Sequence, residues 1–251
     1  MALLLFAKEV AATFDKEHTL FGSGVENSQN SHGRSRKSRN FNDDHINEGM
    51  THSVLLEQLA DDFASVIPSI DVEAEHDRWQ AGIGPFEEEN QIEMLREGID
   101  GDTSYSINTE EPYLDGGQRV DLFIESEETA IPVEAKLLRF RYDNGNIDPN
   151  SFAKVFSPFP ERTTSTLLTD AQKLYEAGFE EHGGLLGLYY EPVDESYERM
   201  SPEAVAEKFA LDVDYWHDFE VETRDVAHFD GLRHPVHQQG AIITWEIVDS
   251  T

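Results

Sequence analysis

Hydrophobic residues recur with helical spacing in two segments of the amino-terminal half. In residues 51–67, "THSVLLEQLADDFASVI", apolar side chains fall three and four positions apart, which predicts an amphipathic helix that begins near Met50. A Gly-Pro turn after Pro68 leads to residues 85–99, "PFEEENQIEMLREGI". We predict a second helix there, with Pro85 in its first turn and the glutamates near its positive end.

Alternation of apolar and polar residues marks residues 120–138, "VDLFIESEETAIPVEAKLL", as two strands around an acidic turn. Successive side chains of a strand point to opposite faces, so each of these strands has one apolar side. We therefore predict a hairpin with one side buried. The apolar positions are Val120, Leu122 and Ile124 in the first strand, and Ile131, Val133, Ala135 and Leu137 in the second.

The other segments extend this hairpin into a larger sheet. Residues 103–114, "TSYSINTEEPYL", alternate weakly, as an edge strand does. The fold class that we predict is α/β, a mixed sheet flanked by helices. Its remaining elements are a loop with Pro149, Pro158 and Pro160, a helix from about Thr163 to Gly178 capped by Thr163 or Thr164, a buried strand "GGLLGLYYE", a helix from Ser201 and Pro202, and the strands "FEVETRDVAHF" and "GAIITWEIV".

The first 50 residues differ in composition from the rest of the chain. Residues 23–50 are rich in Ser, Asn, Gly and charged residues and have almost no apolar periodicity, which is typical of disorder. We therefore expect a disordered tail over residues 1–50, with Met50 as an alternative start. Residues 51–251 are expected to form a single domain, in which the segment after about residue 196 adds strands to the same sheet.

The chain is strongly acidic, with 51 Asp and Glu residues against 19 Lys and Arg residues and a formal net charge of -32. Two explanations compete. In molar salt the Debye length falls to roughly 3 Å, so a surface crowded with carboxylates costs little stability, and in this respect the chain resembles proteins of salt-accumulating halophilic archaea. Alternatively, the acidity serves a function, as in a protein that imitates a nucleic acid. We favour the first explanation because the acidic residues are spread over every segment.

The 251-residue chain contains no cysteine, which excludes disulfides, a thiolate nucleophile and cysteine-ligated zinc. The segment "MALLLFAKEV" has too short an apolar run for a membrane span and no basic residues before it. We therefore expect a protein without membrane association, located in the cytoplasm.

The candidate chemistry lies on the polar side of the predicted hairpin. Glu134 and Lys136 are two residues apart and share a face, and Asp121 lies on the corresponding face of the partner strand. Carboxylates of this kind suit Mg²⁺ or Mn²⁺, which keep most of their water and need few protein ligands. A bound ion can acidify a water molecule for attack on phosphorus, and a nearby lysine can position or deprotonate that water.

The order of these elements resembles the core of the PD-(D/E)xK nuclease superfamily over about residues 85–191. The resemblance implies a restriction endonuclease-like fold. It also implies that Asp121 and Glu134 are metal ligands, assisted by the carbonyl of Ala135, and that Lys136 is the catalytic lysine. Val120 stands where the name of the motif has proline.

In that superfamily a glutamate on the helix before the motif often completes the site. Glu88, Glu89 and Glu93 occupy the corresponding helix, and we select Glu89 as the catalytic candidate.

Some members of the superfamily also carry a glutamine and a tyrosine on the helix after the motif. Here "DAQKLYEAG" offers Gln172, Lys173 and Tyr175, with a spacing one residue shorter than in those members. We assign Gln172 to catalysis and Lys173 to substrate binding. Arg139 and Arg141 follow the motif directly, where they are candidates for contacts with phosphates.

These observations predict an endonuclease that uses Mg²⁺ or Mn²⁺ to hydrolyse phosphodiester bonds in DNA, with a restriction or defence role and a homodimeric state suggested by analogy. An RNA substrate fits the same residues. The alternative from another class is a non-catalytic acidic protein of related fold that binds a partner or mimics DNA. Four histidines lack a metal-binding spacing, and we assign them to a structural or substrate-facing region; they are His217, His228, His234 and His237.

Overall fold

The computed structural model describes residues 51–76, 80–99, 101, 103–109, 112–113, 119–159, 165–179 and 182–250. The predicted amino-terminal tail and the two predicted caps at positions 163 and 164 lie outside these residues. The helices and strands described below belong to one compact unit, which spans residues 48–251. Within the described ranges, no helix is long and apolar enough to cross a membrane.

Five helices are described. The side chain of Thr51 accepts a hydrogen bond from the N–H of Val54 and caps the first helix, as expected of a threonine before an amphipathic run. The helices are α1 (His52–Glu73), α2 (Glu88–Gly98), α3 (Pro149–Phe156), α4 (Leu167–Glu176) and α5 (Pro202–Trp216).

Three helix boundaries differ from the predicted ones. Helix α4 begins at Leu167 instead of about Thr163, and its cap is Thr166, whose side chain accepts the N–H of Thr169. Helix α1 continues through Pro68 to Glu73, because its packed face extends beyond the proline, where Ile70 packs against the core. Helix α2 begins at Glu88 instead of Pro85, since Glu87 has an extended backbone with φ -69° and ψ 158°.

Helix α3 was not predicted, and it lies in the segment interpreted as a proline-containing loop. Asp148 accepts a hydrogen bond from the N–H of Asn150 at 2.9 Å, and Pro149 occupies the first turn. A capping aspartate followed by proline is a recognised helix start. The helix is short, which is why its apolar periodicity is hard to detect.

Six strands form one mixed sheet in the order β1-β2-β3-β4-β6-β5. All neighbouring strands are antiparallel except β3 and β4, which are parallel. The last two strands complete the same sheet as the central ones. The strands are β1 (Tyr105–Asn108), β2 (Leu122–Ser126), β3 (Ala130–Arg139), β4 (Gly184–Glu191), β5 (Phe219–Phe229) and β6 (Gln239–Asp249).

Helices cover both faces of the sheet. On one face, α1 places Leu59 and Phe63 in a cluster that includes Leu186. On the other face, α4 and α5 contribute residues such as Leu174 and Phe209 to a second cluster. Strands β3 and β4 are therefore buried on both sides.

This two-sided burial corrects the predicted hairpin with one buried side. Leu122, Ile124, Ile131, Val133 and Ala135 pack in the first cluster, and Leu137 packs against it. Val120 instead belongs to the second cluster, because it precedes β2, which begins at Leu122. The polar face of β3 is therefore covered by the second layer of helices.

Candidate active site

The site forms where β2 and β3 stop pairing. The last paired residues are Leu122 and Val133, and beyond them β3 continues to Arg139 with hydrogen bonds to β4 alone. Along this edge of β3, side chains accept the backbone hydrogen bonds that a neighbouring strand would otherwise accept. Asp121 Oδ2 accepts the N–H of Ala135 at 2.9 Å, and Glu88 Oε2 accepts the N–H of Leu137 at 2.5 Å.

Glu134 is the centre of a buried polar cluster on the adjacent face of β3, with 4% of its surface exposed. Its Oε1 accepts hydrogen bonds from Lys173 Nζ at 2.6 Å and from the hydroxyl of Tyr113. Burial, and next the neighbouring carboxylate of Asp121, raise the pKa of Glu134 to about 7. The Glu134 carboxyl therefore retains its proton more readily than a solvated glutamate does.

Lys136 points to the same face and is 9% exposed. Its Nζ lies 3.1 Å from Asp170 Oδ2 and 3.6 Å from Glu88 Oε1. Burial disfavours the charged ammonium, but the carboxylates of Glu88 and Asp170 outweigh it and raise the pKa of Lys136 to about 12. In this arrangement Lys136 is a fixed positive charge and a hydrogen-bond donor at neutral pH.

The glutamate that α2 contributes is Glu88, whereas Glu89 is exposed to solvent. Consecutive residues of a helix point about 100° apart, so only one of the two can face β3. Burial raises the pKa of Glu88, although Lys136 opposes this effect. Glu93 lies further along α2 and pairs with Arg96 at 2.6 Å.

Helix α4 brings Lys173 to Glu134 but directs Gln172 away. Gln172 is exposed, and its side-chain amide donates to Glu176 Oε1 at 2.8 Å. Tyr175 stacks on Phe219 with a ring separation of 4.4 Å.

Arg139 is the last residue of β3, Arg141 lies just beyond it, and both are anchored on backbone carbonyls. Arg139 donates to the carbonyl of Gly84 at 2.5 Å, and Arg141 donates to the carbonyl of Gly145 at 2.8 Å and lies 4.8 Å from the ring centre of Tyr197. Both arginines line a cavity of about 200 Å³ together with Pro85, Glu87, Tyr142, Asp143 and Asp148. Negative side chains share this cavity with the arginines.

Sequence reasoning missed Tyr113 and Asp170. Tyr113 lies in the weakly alternating segment, and no local signal distinguishes it from a core tyrosine. Asp170 carried a usable signal, because it lies on the apolar face of α4, three residues after Leu167 and four before Leu174. A 2%-exposed carboxylate on such a face requires a partner, and Lys136 provides it.

Asp143, His234 and His237 form a second polar cluster, whose donor atoms lie within 4.8 Å of one another. Within the described part of the chain it is the only group of three or more His, Asp or Glu residues with this closeness. Nδ1 of His234 accepts the N–H groups of Val236 at 3.2 Å and His237 at 3.1 Å. Burial lowers the pKa of His234 to about 4, so its ring is neutral and its proton lies on Nε2.

A protonated Nε2 has no lone pair for a metal ion, so we interpret the cluster as packing of the 232–238 loop on Asp143. The other two histidines lie apart from it. His228 pairs with Glu203 at 2.8 Å, and His217 stacks on Phe219.

No family model, curated protein or solved structure matches the chain. The chemistry of the site therefore has to be judged from its own donors. Asp121 and Glu134 are hard oxygen donors, and the Ala135 carbonyl faces the same strand edge as its N–H, toward Asp121. Since Mg²⁺ keeps several water ligands, one or two carboxylates suffice to bind it. The raised pKa of Glu134 reflects its burial and, next, the negative charge of Asp121, which such an ion would neutralise.

Proposed function

We propose that the protein is a metal-dependent endonuclease with a restriction endonuclease-like fold, which hydrolyses phosphodiester bonds in DNA. One observation carries the proposal. The carboxylate of Asp121, which is exposed, and that of Glu134, which is buried, meet at the point where two strands diverge, and Glu134 shares its face of β3 with the Lys136 ammonium. Such a combination of adjacent carboxylates and a fixed cation suits a metal ion and a phosphate group together.

Asp121, Glu134 and the Ala135 carbonyl would hold Mg²⁺ or Mn²⁺. When bound, the ion supplies Lewis-acid stabilisation of a phosphorane-like transition state and acidifies water. Lys136 remains positively charged at neutral pH, so its role is to orient water or a phosphate oxygen and to stabilise negative charge. Glu88 and Asp170 fix the position of its ammonium.

The substrate would approach from the partly exposed side of the site, past Lys173. Lys173 is 29% exposed at its side chain. Arg139 is the last residue of β3 and points to the opposite face from Glu134 and Lys136, and Arg141 lies beyond the strand. These arginines would contact a DNA backbone beside the site, where cationic side chains supply positive surface on an otherwise acidic protein.

The test is cleavage of plasmid and single-stranded DNA in molar KCl with Mg²⁺ or Mn²⁺. Glu134→Gln and Lys136→Met should each lower the rate by at least about 100-fold, since each removes a group that interacts with the reacting centre. Lys154→Met and Glu127→Gln are matched controls, because both residues are exposed, and they should cleave at the wild-type rate. Circular dichroism should show that all four variants are folded.

Full activity in both site variants would refute the proposal.

A second candidate function is a non-catalytic acidic binding protein, favoured by the way Asp170 and Glu134 neutralise Lys136 and Lys173 in buried ion pairs. That function predicts that the wild type cleaves neither substrate and that calorimetry detects no Mg²⁺ binding.

A further inference from the structure

Two donors converge on one oxygen of Glu134. Lys173 Nζ lies 2.6 Å from Oε1, and the hydroxyl of Tyr113 donates to the same atom. The ammonium of Lys173 also lies 4.3 Å from the centre of the Tyr113 ring, in a cation–π contact. The ammonium of Lys173 therefore already pairs with Oε1 of Glu134, an oxygen that the proposed metal ion would use as a ligand.

The two lysines of the site differ in how firmly they are held. Lys136 lies between the carboxylates of Asp170 and Glu88, and its side chain is 11% exposed. The side chain of Lys173 is 29% exposed and extends from α4 to a single oxygen of Glu134. Lys173 therefore has a path to solvent, whereas Lys136 is enclosed.

We propose that Lys173 is a resident counter-ion of Glu134 that a divalent metal ion displaces, which frees its ammonium to contact a substrate phosphate. This inference rests on the proposed function and adds an exchange of cations to it. A divalent ion attracts a carboxylate about twice as strongly as an ammonium at equal distance. Once the ion neutralises Glu134, it also repels Lys173, and the adjacent exposed region is where a phosphate would lie.

Amine labelling of the full-length protein tests the exchange directly. The protein is treated with acetic anhydride at pH 8.5 in molar KCl, with and without Mg²⁺, and acetylation of each lysine is followed by mass spectrometry. Mg²⁺ should accelerate acetylation of Lys173 by at least about threefold, because the charge-assisted hydrogen bond to Glu134 is lost. Lys154, an exposed lysine on α3, should react at the same rate in both conditions.

Glu134→Gln provides the reference for a released lysine. The neutral amide attracts the ammonium less than a carboxylate does, so Lys173 in this variant should react rapidly without Mg²⁺ and show no further response to it. Slow labelling of Lys173 in this variant would overturn the inference, because the contact with Glu134 would then not be what protects the amine.

Calorimetry with Mg²⁺ alone separates failure of the exchange from failure of the proposed function. We expect Lys173→Met to bind Mg²⁺ about tenfold more tightly than the wild type, because the competing charge is removed, whereas Lys154→Met should bind like the wild type. If the wild type binds Mg²⁺ and its Lys173 labelling does not rise, the exchange is refuted and the nuclease proposal stands. If the wild type binds no Mg²⁺, both are refuted.

Discussion

Glu134→Gln should remove much of the pH dependence of stability in the absence of divalent ions. Burial and the adjacent Asp121 raise the pKa of Glu134 from 4.5 to about 7. Between these pH values the folded chain retains a proton that the unfolded chain has released, so the free energy of unfolding falls as the pH rises. A difference of about 2.5 pKa units corresponds to about 3 kcal/mol of stability, present below pH 4.5 and lost as the pH passes 7.

The assay is urea unfolding in molar KCl without divalent ions, at several pH values between 5 and 8.5, followed by tryptophan fluorescence. Glutamine keeps a carbonyl oxygen for the Tyr113 hydroxyl but cannot ionise. The free energy of unfolding of the wild type should therefore decrease by about 2.5 kcal/mol relative to that of Glu134→Gln across this range, since part of the effect is already lost at pH 5. Glu127→Gln, an exposed substitution in the turn between β2 and β3, should follow the wild type.

Parallel pH profiles for the wild type and Glu134→Gln would refute this reasoning, because they would mean that Glu134 has the same pKa in the folded and unfolded chains. Mg²⁺ adds an independent comparison. An ion that binds the ionised carboxylate should stabilise the wild type more at pH 8.5 than at pH 5, and it should stabilise Glu134→Gln less at both.

Three further outcomes follow from other contacts. Glu88→Gln should reduce DNA cleavage by at least about tenfold, because it weakens the positioning of Lys136, whereas Glu89→Gln should have the wild-type rate in the same assay. Gly240→Ala should destabilise the protein by about 3 kcal/mol or more in urea unfolding, since its Cβ would lie 1.8 Å from the carbonyl oxygen of Tyr189. Ser201→Ala removes the side-chain cap on α5, a hydrogen bond of 3.2 Å, and should cost about 1 kcal/mol in the same measurement.

The sheet was predictable wherever burial imposes a simple pattern. The runs that became β2, β3 and β4 are bounded by turns and contain alternating or continuous apolar residues, and the two carboxy-terminal strands are equally plain. Helix ends were less predictable, because they depend on packing that lies far away in sequence. Pro68 illustrates this point, since Ile70 and the buried Asp71 continue the packed face of the helix beyond a residue that usually ends one.

In the site, too, features set by local sequence were predictable, whereas contacts between elements distant in sequence were not. The period of a strand is enough to place Glu134 and Lys136 on one face. The choice between Glu88 and Glu89 required the rotation of α2 against β3, which sequence spacing alone does not provide. Tyr113 reaches Glu134 across 21 positions from a segment with no clear pattern, so only the folded structure reveals the contact.

The charges of the cluster explain why a divalent ion suits it. Glu88, Asp121, Glu134 and Asp170 contribute four carboxylates, and Lys136 and Lys173 contribute two ammonium groups. With all six groups ionised, two negative charges remain uncompensated around the buried carboxylates of Glu134 and Asp170, which is unfavourable where the local dielectric constant is low. The raised pKa of Glu134 is a partial remedy, because a proton compensates one of these charges. A single divalent ion would compensate both, so its binding should release a proton whenever the pH lies below about 7.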